Sequence, residues 1–333
     1  MEKKKPKLTI IETGGTIMSG NSKDGIKPKY RFDDLIKGGY KTGDYEIIDK
    51  VVCQKDSTLI GPKEWIKISE TISTALSNGS NVVVLHGTDT MAYTASMMVN
   101  MIKNPLGSVV FTGSMKTMDE IENDVIKNLN DSILVAFNTP PSIYLVFNGV
   151  VLNPIKAVKV DSVGFDAFHS IDGTSVGIVR NGKLIRSKGF DDLPTNGNAQ
   201  KLNQKFSESV ITIRLTPGLP IEIFRNIGTN IGPIKGLVIE AFGTGNIPYE
   251  EADGKIGGML GEIIKLAEKI PVIMTSQVPH GGINPNLYEI GHKVVNSNII
   301  PAYGISPAAA YTKLMWCLGN SMSIEMIRKE FKK

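Results

Sequence analysis

Short apolar runs that end in glycine and threonine alternate along the chain with longer stretches whose apolar residues recur three and four apart. The first pattern predicts strands buried on both faces of a parallel sheet, and the second predicts helices packed against it. Val82-Val83-Val84-Leu85 is the plainest run, and His86-Gly87-Thr88-Asp89-Thr90 follows it as a turn rich in hydroxyl and carboxylate groups that leads into helical spacing. Leu8-Thr9-Ile10-Ile11 is its counterpart and runs on into Glu12-Thr13-Gly14-Gly15-Thr16-Ile17. Ligands of open α/β sheets sit at the carboxyl ends of strands, so two such tips would place two hydroxyls at one crevice if the strands lie close together.

The polar, breaker-rich stretch 19–30 predicts a loop, either a lid beside the first tip or a plain surface connection. A short helix is expected at 32–36, a strand at 45–52, and a helix opening after Asp56-Ser57-Thr58-Leu59-Ile60-Gly61-Pro62 and running to about residue 76. The helix after Thr90 carries Met91, Met97, Met98 and Met101 at helical spacing, which reads as core. A strand at 108–111, a loop at 115–123 and a helix at 124–132 come next. Asn148-Gly149 between two apolar runs predicts a hairpin, and residues 158–160 and 178–180 extend the β material. Beyond the turn-rich stretch Asp191-Asp192-Leu193-Pro194-Thr195-Asn196-Gly197-Asn198, strands at 210–215, 236–241 and 272–275 alternate with helices near 257–268 and 308–318. The expected class is therefore α/β with two domains: a larger parallel-rich sheet flanked by helices over 1–190, a linker over 191–209, and a smaller parallel sheet with helices over 210–333.

The 333 residues allow two cores, and 41% hydrophobic with 21% charged residues describes an ordinary soluble globular chain. The net charge of +4 comes partly from lysine and arginine at the two ends, and no basic patch with interleaved aromatics marks a nucleic-acid surface. No run approaches the roughly 20 apolar residues of a membrane helix. Cys53 and Cys317 lie far apart with no secretory signal, which points to reduced thiols in a cytoplasmic protein and to no metal site. No Gly-x-Gly-x-x-Gly follows the first strand, which argues against a dinucleotide site.

Thr13-Gly14-Gly15-Thr16-Ile17 and His86-Gly87-Thr88-Asp89-Thr90 are similar to the two signature motifs of the bacterial-type L-asparaginase/glutaminase family of amidohydrolases. The resemblance continues through Thr112-Gly113-Ser114, Lys159 with Phe165-Asp166-Ala167-Phe168 behind it, and Gly243-Thr244-Gly245-Asn246. It implies a cytoplasmic or archaeal-like L-asparaginase that hydrolyses L-asparagine through a threonine acyl-enzyme, with no metal or organic cofactor, and it leaves L-glutamine open as a second substrate. Thr16 would be the nucleophile, with Thr88, Asp89 and Lys159 as a polar group around the amide. Ser57 and backbone near it, with Thr58, Gly15 and Gly87, would bind substrate, Asp89 would pair with its α-ammonium, and Tyr30 would be the lid tyrosine. The physical case is that a threonine hydroxyl is a weak nucleophile and needs an adjacent base, a role open to Lys159 if it is partly buried beside Thr88. His86 reads as a hydrogen-bonded structural residue.

Two departures from the family pattern stand out. Ile26, not Tyr30, falls where the lid tyrosine is counted to lie, and Val125 follows Asp124 where relatives usually show glycine and proline. Homodimers or homotetramers are the family habit, with residues 276–288, Tyr288 among them, as candidates to reach a neighbouring copy. The alternative functions are the ammonia-producing subunit of an archaeal Glu-tRNA(Gln) amidotransferase and a non-catalytic amino-acid-binding homologue. That subunit generally carries an extra domain ahead of its first motif, whereas 12 residues precede Thr13. The four catalytic residue types are all in place, which argues against the non-catalytic reading.

Overall fold

The computed structural model describes residues 5–37, 44–190, 199–227, 229 and 234–332; the first part of the expected linker, 191–198, lies outside them. The chain divides into one unit of Met1–Ser170 with Thr174–Gln204 and another of Ile171–Gly173 with Lys205–Lys333.

The first unit opens with β1 (Lys7–Gly14), β2 (Ser19–Ser22) and β3 (Gly25–Pro28), then α1 (Phe32–Lys37), β4 (Glu46–Lys55), α2 (Pro62–Ser77) and β5 (Ser80–Leu85). It continues through α3 (Met91–Met101), β6 (Ile102–Lys103), β7 (Val109–Thr112), α4 (Val125–Asn138), β8 (Ile143–Phe147) and β9 (Val150–Leu152). β10 (Ala157–Lys159), β11 (Phe168–Ser170), β12 (Gly177–Arg180), β13 (Lys183–Arg186) and β14 (Lys201–Leu202) complete it.

Eight of these strands form one sheet in the order β13-β12-β9-β8-β7-β5-β1-β4. The run from β8 to β4 is parallel, and β9, β12 and β13 add antiparallel strands at the other end. Leu8 and Ile10 of β1, Val83 and Leu85 of β5 and Val110 of β7 share one apolar cluster with Val125, Leu129 and Ile133 of α4. The residues between them, Ile11, Val82, Val84 and Phe111, are equally buried. Alternate side chains point to opposite faces of a strand, so both faces are covered, as continuous apolar runs require. Met91, Met97, Met98 and Met101 are all in the core. The Asn148-Gly149 hairpin forms between β8 and β9, with φ of 47° and 82° at the two turn residues, the left-handed pair that suits a two-residue turn.

The stretch 19–30, expected as a loop, is instead an antiparallel hairpin of β2 and β3, in register from Ser19↔Pro28 to Ser22↔Gly25. Residues 21–28 are exposed, so backbone pairing, not a buried apolar face, defines it.

In the second unit, β15 (Val210–Arg214), α5 (Glu222–Ile227), β16 (Gly236–Ala241), β17 (Glu250–Ala252), β18 (Lys255–Gly257), α6 (Gly258–Ala267) and β19 (Val272–Ser276) precede α7 (Glu289–Val295), β20 (Ile300–Pro301), α8 (Pro307–Gly319) and α9 (Ile324–Glu330). Its sheet, β15-β16-β19-β20, is parallel throughout, and Leu237, Ile239, Val272 and Met274 pack with Leu260 and Ile263 of α6. Among the described residues no helix is long and apolar enough to cross a membrane.

Candidate active site

β1 and β5 run parallel and in register from Lys7↔Ser80 to Glu12↔Leu85, so their carboxyl ends lie level. Thr13 Oγ1 donates to Leu85 O at 2.9 Å and ties the two tips together. The chain then turns through Gly14 at φ 106° and Gly15 at φ 79°, values that residues with a Cβ rarely adopt. Space also demands glycine: a Cβ on Gly15 would lie 2.2 Å from Gly87 Cα, and one on Gly87 would lie 2.7 Å from Ser57 Oγ. The backbones at 15 and 87 therefore touch, and Thr16 and Thr88 each stand one residue beyond that contact. Thr16 opens a 3-10 turn, Thr16–Met18, whose Ile17 and Met18 are buried while Thr16 is half-buried.

Thr88 accepts a hydrogen bond from Lys159 Nζ at 2.8 Å, and the same ammonium pairs with Asp89 Oδ1 at 2.6 Å. Lys159 ends β10, where it sits opposite Phe168 of β11, and the Phe168 ring packs on Phe147 with centroids 5.0 Å apart. The lysine side chain is 20% exposed and the aspartate 56%, so the pair is open to solvent on the carboxylate side. The ammonium donates to the hydroxyl and to the carboxylate at once, so the nitrogen can relay a proton between the two oxygens, giving one up to Asp89 as it takes one from Thr88.

Ser57 is buried against Gly87, and its carbonyl accepts from Thr90 Oγ1 at 2.6 Å. Thr58 is exposed, and its amide and its hydroxyl both donate to Asp56 Oδ1, at 2.8 and 2.6 Å. Thr16, Thr88, Asp89, Lys159, Ser57, Gly15 and Gly87 thus gather around the β1 and β5 tips. The Tyr30 hydroxyl donates to Asp119 in the loop after β7.

Two carboxylates outside the expected set of site residues shape the surroundings. Glu12, fully buried in β1, accepts from Arg31 Nε at 2.7 Å and from the Phe32 amide at 2.8 Å, anchoring the chain where it leaves the hairpin. Burial raises its carboxyl above the usual range, against the lowering effect of those two donors. Asp124 accepts from the Met115 amide at 3.0 Å, the Lys116 amide at 3.2 Å and Asn128 Nδ2 at 2.9 Å, so the loop after β7 folds back onto the start of α4. An acid inside an apolar strand was the available signal for Glu12; nothing local marked the partners of Asp119 or Asp124.

His86 is buried, with Nδ1 2.7 Å from Gly87 O, and burial pushes its pKa down to about 4. Its Nε2 has no hydrogen-bond partner among the described residues. A neutral ring locked between strand and turn fits the structural role expected of it. Among the described residues no group of three or more His, Cys, Asp and Glu side chains is placed to hold a metal ion.

The model of the asparaginase N-terminal domain matches residues 7–189, and that of the glutaminase/asparaginase C-terminal domain matches 209–331. The chain is 35% identical over 327 residues to an L-asparaginase of Thermococcus kodakarensis, covering 97% of this chain and 96% of that one. It is 30% identical over 338 residues to a subunit of the glutamyl-tRNA(Gln) amidotransferase of Methanobrevibacter smithii, covering 98% of this chain and 75% of that one. The solved thermostable L-asparaginase of Thermococcus kodakarensis superposes with a TM-score of 0.88 at 32% identity, over 98% of this chain and 97% of that one. L-asparaginase I of Vibrio cholerae shares the fold, with a TM-score of 0.84 at 23% identity over 99% and 98% of the two chains.

Proposed function

The chain belongs to the asparaginase family, and from that premise we propose that it hydrolyses the side-chain amide of L-asparagine to L-aspartate and ammonia through a threonine acyl-enzyme. The observation that carries the reading is the Lys159 amine, bonded at once to the Thr88 hydroxyl and the Asp89 carboxylate beside the Gly15 and Gly87 contact. Thr16 Oγ1 adds to the amide carbon, and its proton is taken up by the Thr88, Lys159 and Asp89 group. Collapse of the tetrahedral adduct breaks the C–N bond, the nitrogen gains that proton, and ammonia leaves an ester on Thr16. Water, giving up a proton to the same group, adds to the ester; the acyl C–O bond to Thr16 then breaks, Thr16 Oγ1 regains that proton, and aspartate is released.

Ser57 binds the substrate's α-carboxylate and Asp89 its α-ammonium, so both charged ends of a free amino acid are read and an amide within a polypeptide is refused. The 56% exposure of Asp89 leaves its carboxylate accessible for this second partner. Asparagine and glutamine differ by one methylene, a discrimination of about 1–3 kcal/mol in a pocket.

Ammonia release from L-asparagine, L-glutamine, D-asparagine and a peptide amide, by the wild type and by Thr16→Ala and Thr88→Ala, tests the reading. Each substitution is expected to cost at least about 100-fold in rate; equal turnover by all three proteins would place the chemistry elsewhere. Strong preference for glutamine would move the assignment toward the role of the amidotransferase relatives.

A further inference from the structure

The loops that leave β1 and β7 meet in front of β5, the strand between them in the sheet. The first is the β2–β3 hairpin, pinned at its base by Ser19 Oγ donating to Gly15 O at 2.8 Å and by the Lys29 and Tyr30 amides donating to Met18 O at 3.0 Å. The second leaves β7 through Gly113, which lies so close to β5 that a Cβ there would stand 2.3 Å from His86 O. One carboxylate joins the two loops. Asp119 accepts from the Asn21 amide at 2.6 Å, from Lys29 Nζ at 3.0 Å and from the Tyr30 hydroxyl. The donors come from both arms of the hairpin, Asn21 on β2 and Lys29 and Tyr30 just past β3. Gly20 makes the approach possible, since a Cβ there would lie 2.6 Å from Asp119 Oδ2 and 3.0 Å from Tyr30 Cε2.

We propose that Asp119 is a positioning residue for the amide hydrolysis, strapping the hairpin to the β7 loop across the carboxyl end of β5 and so holding Thr16 against the Thr88 side of the site. This rests on the amidohydrolase reading above. Asp119 acts through the hairpin and not on the reacting atoms, and Tyr30 serves as a strut of the strap. The Tyr30 hydroxyl, the Asn21 amide and Lys29 hold the Asp119 carboxyl below its usual range, so the tie is charged throughout neutral pH. A closed loop excludes water and keeps catalytic groups in a productive geometry, while a released one weakens substrate capture.

The test pairs ammonia release with hydrogen–deuterium exchange over residues 19–30. In Asp119→Ala, exchange in that segment is expected to quicken with none gained in β1 or α2, and kcat/KM for L-asparagine to fall at least about tenfold, mainly through KM. Asp119→Asn, which keeps a carbonyl acceptor, and Tyr30→Phe, which removes one donor, should lie between. Unchanged exchange in Asp119→Ala overturns the strap, and faster exchange with kcat/KM within about twofold of wild type overturns its positioning role. A wild type that releases no ammonia from L-asparagine defeats the amidohydrolase reading and the positioning role together, and the exchange result then decides the strap by itself.

Discussion

Lys159 and His86 show how differently two basic side chains at one site are used. The Lys159–Asp89 pair is partly solvated, and exposed pairs are worth about 0–1 kcal/mol, so its 2.6 Å contact matters for where the amine stands more than for how firmly the chain folds. His86 is the opposite case, fully buried, so that its protonation bears on stability. Its folded pKa of about 4 lies below its ordinary value of 6.5, so between those limits the unfolded chain binds a proton that the native ring refuses. Stability is then fully present above pH 6.5 and is lost as pH falls toward 4, by roughly 2–3 kcal/mol at pH 4.5. Urea melts from pH 7.5 down to 4.5 should show this loss in the wild type and a shallower one in His86→Asn; parallel curves would mean the ring is not held neutral.

At the level of strands and turns, glycine positions separate local strain from crowding. Gly79 at φ 74° has nothing within 4 Å of where a Cβ would stand, so Gly79→Ala is expected to cost only the left-handed penalty of about 1–2 kcal/mol. Gly15 at φ 79° carries the same penalty and in addition meets Gly87 backbone at 2.2 Å. Gly15→Ala should therefore destabilise by more than Gly79→Ala and abolish ammonia release, read by thermal melts and assay side by side. Equal melting shifts with retained activity would show that the β1 and β5 tips can part without consequence. The elements also differ in how plainly they could be read. β5 and β7 announce themselves because burial on both faces leaves an uninterrupted apolar run, and Asn148-Gly149 does so because its turn demands left-handed φ at both residues. The β2–β3 hairpin is nearly all polar and exposed, so no period-two apolar signal exists in it, and its pairing shows only in the backbone register.

Across the whole molecule the two thiols report on the two units separately. Cys53 lies half-buried on β4 of the first unit, its Sγ donating to Thr13 O at 3.2 Å and its pKa raised by burial, while Cys317 is fully buried in α8 of the second. Native protein should react slowly at Cys53 alone, with Cys317 becoming reactive only as its unit opens in denaturant; rapid native labelling of both would contradict the packing around α8. By itself the sequence determined the main buried strands, the longer helices, and that two strand tips carry Gly-Thr chemistry, because burial and turn geometry leave local periodic traces. Only the tertiary structure decided that β1 and β5 are neighbours, that Lys159 reaches Thr88 from 71 residues away and that Asp119 reaches Tyr30 from 89. Such partnerships are settled by which faces pack together across the fold, and a polar side chain bonded to a distant one leaves no pattern in its own neighbourhood.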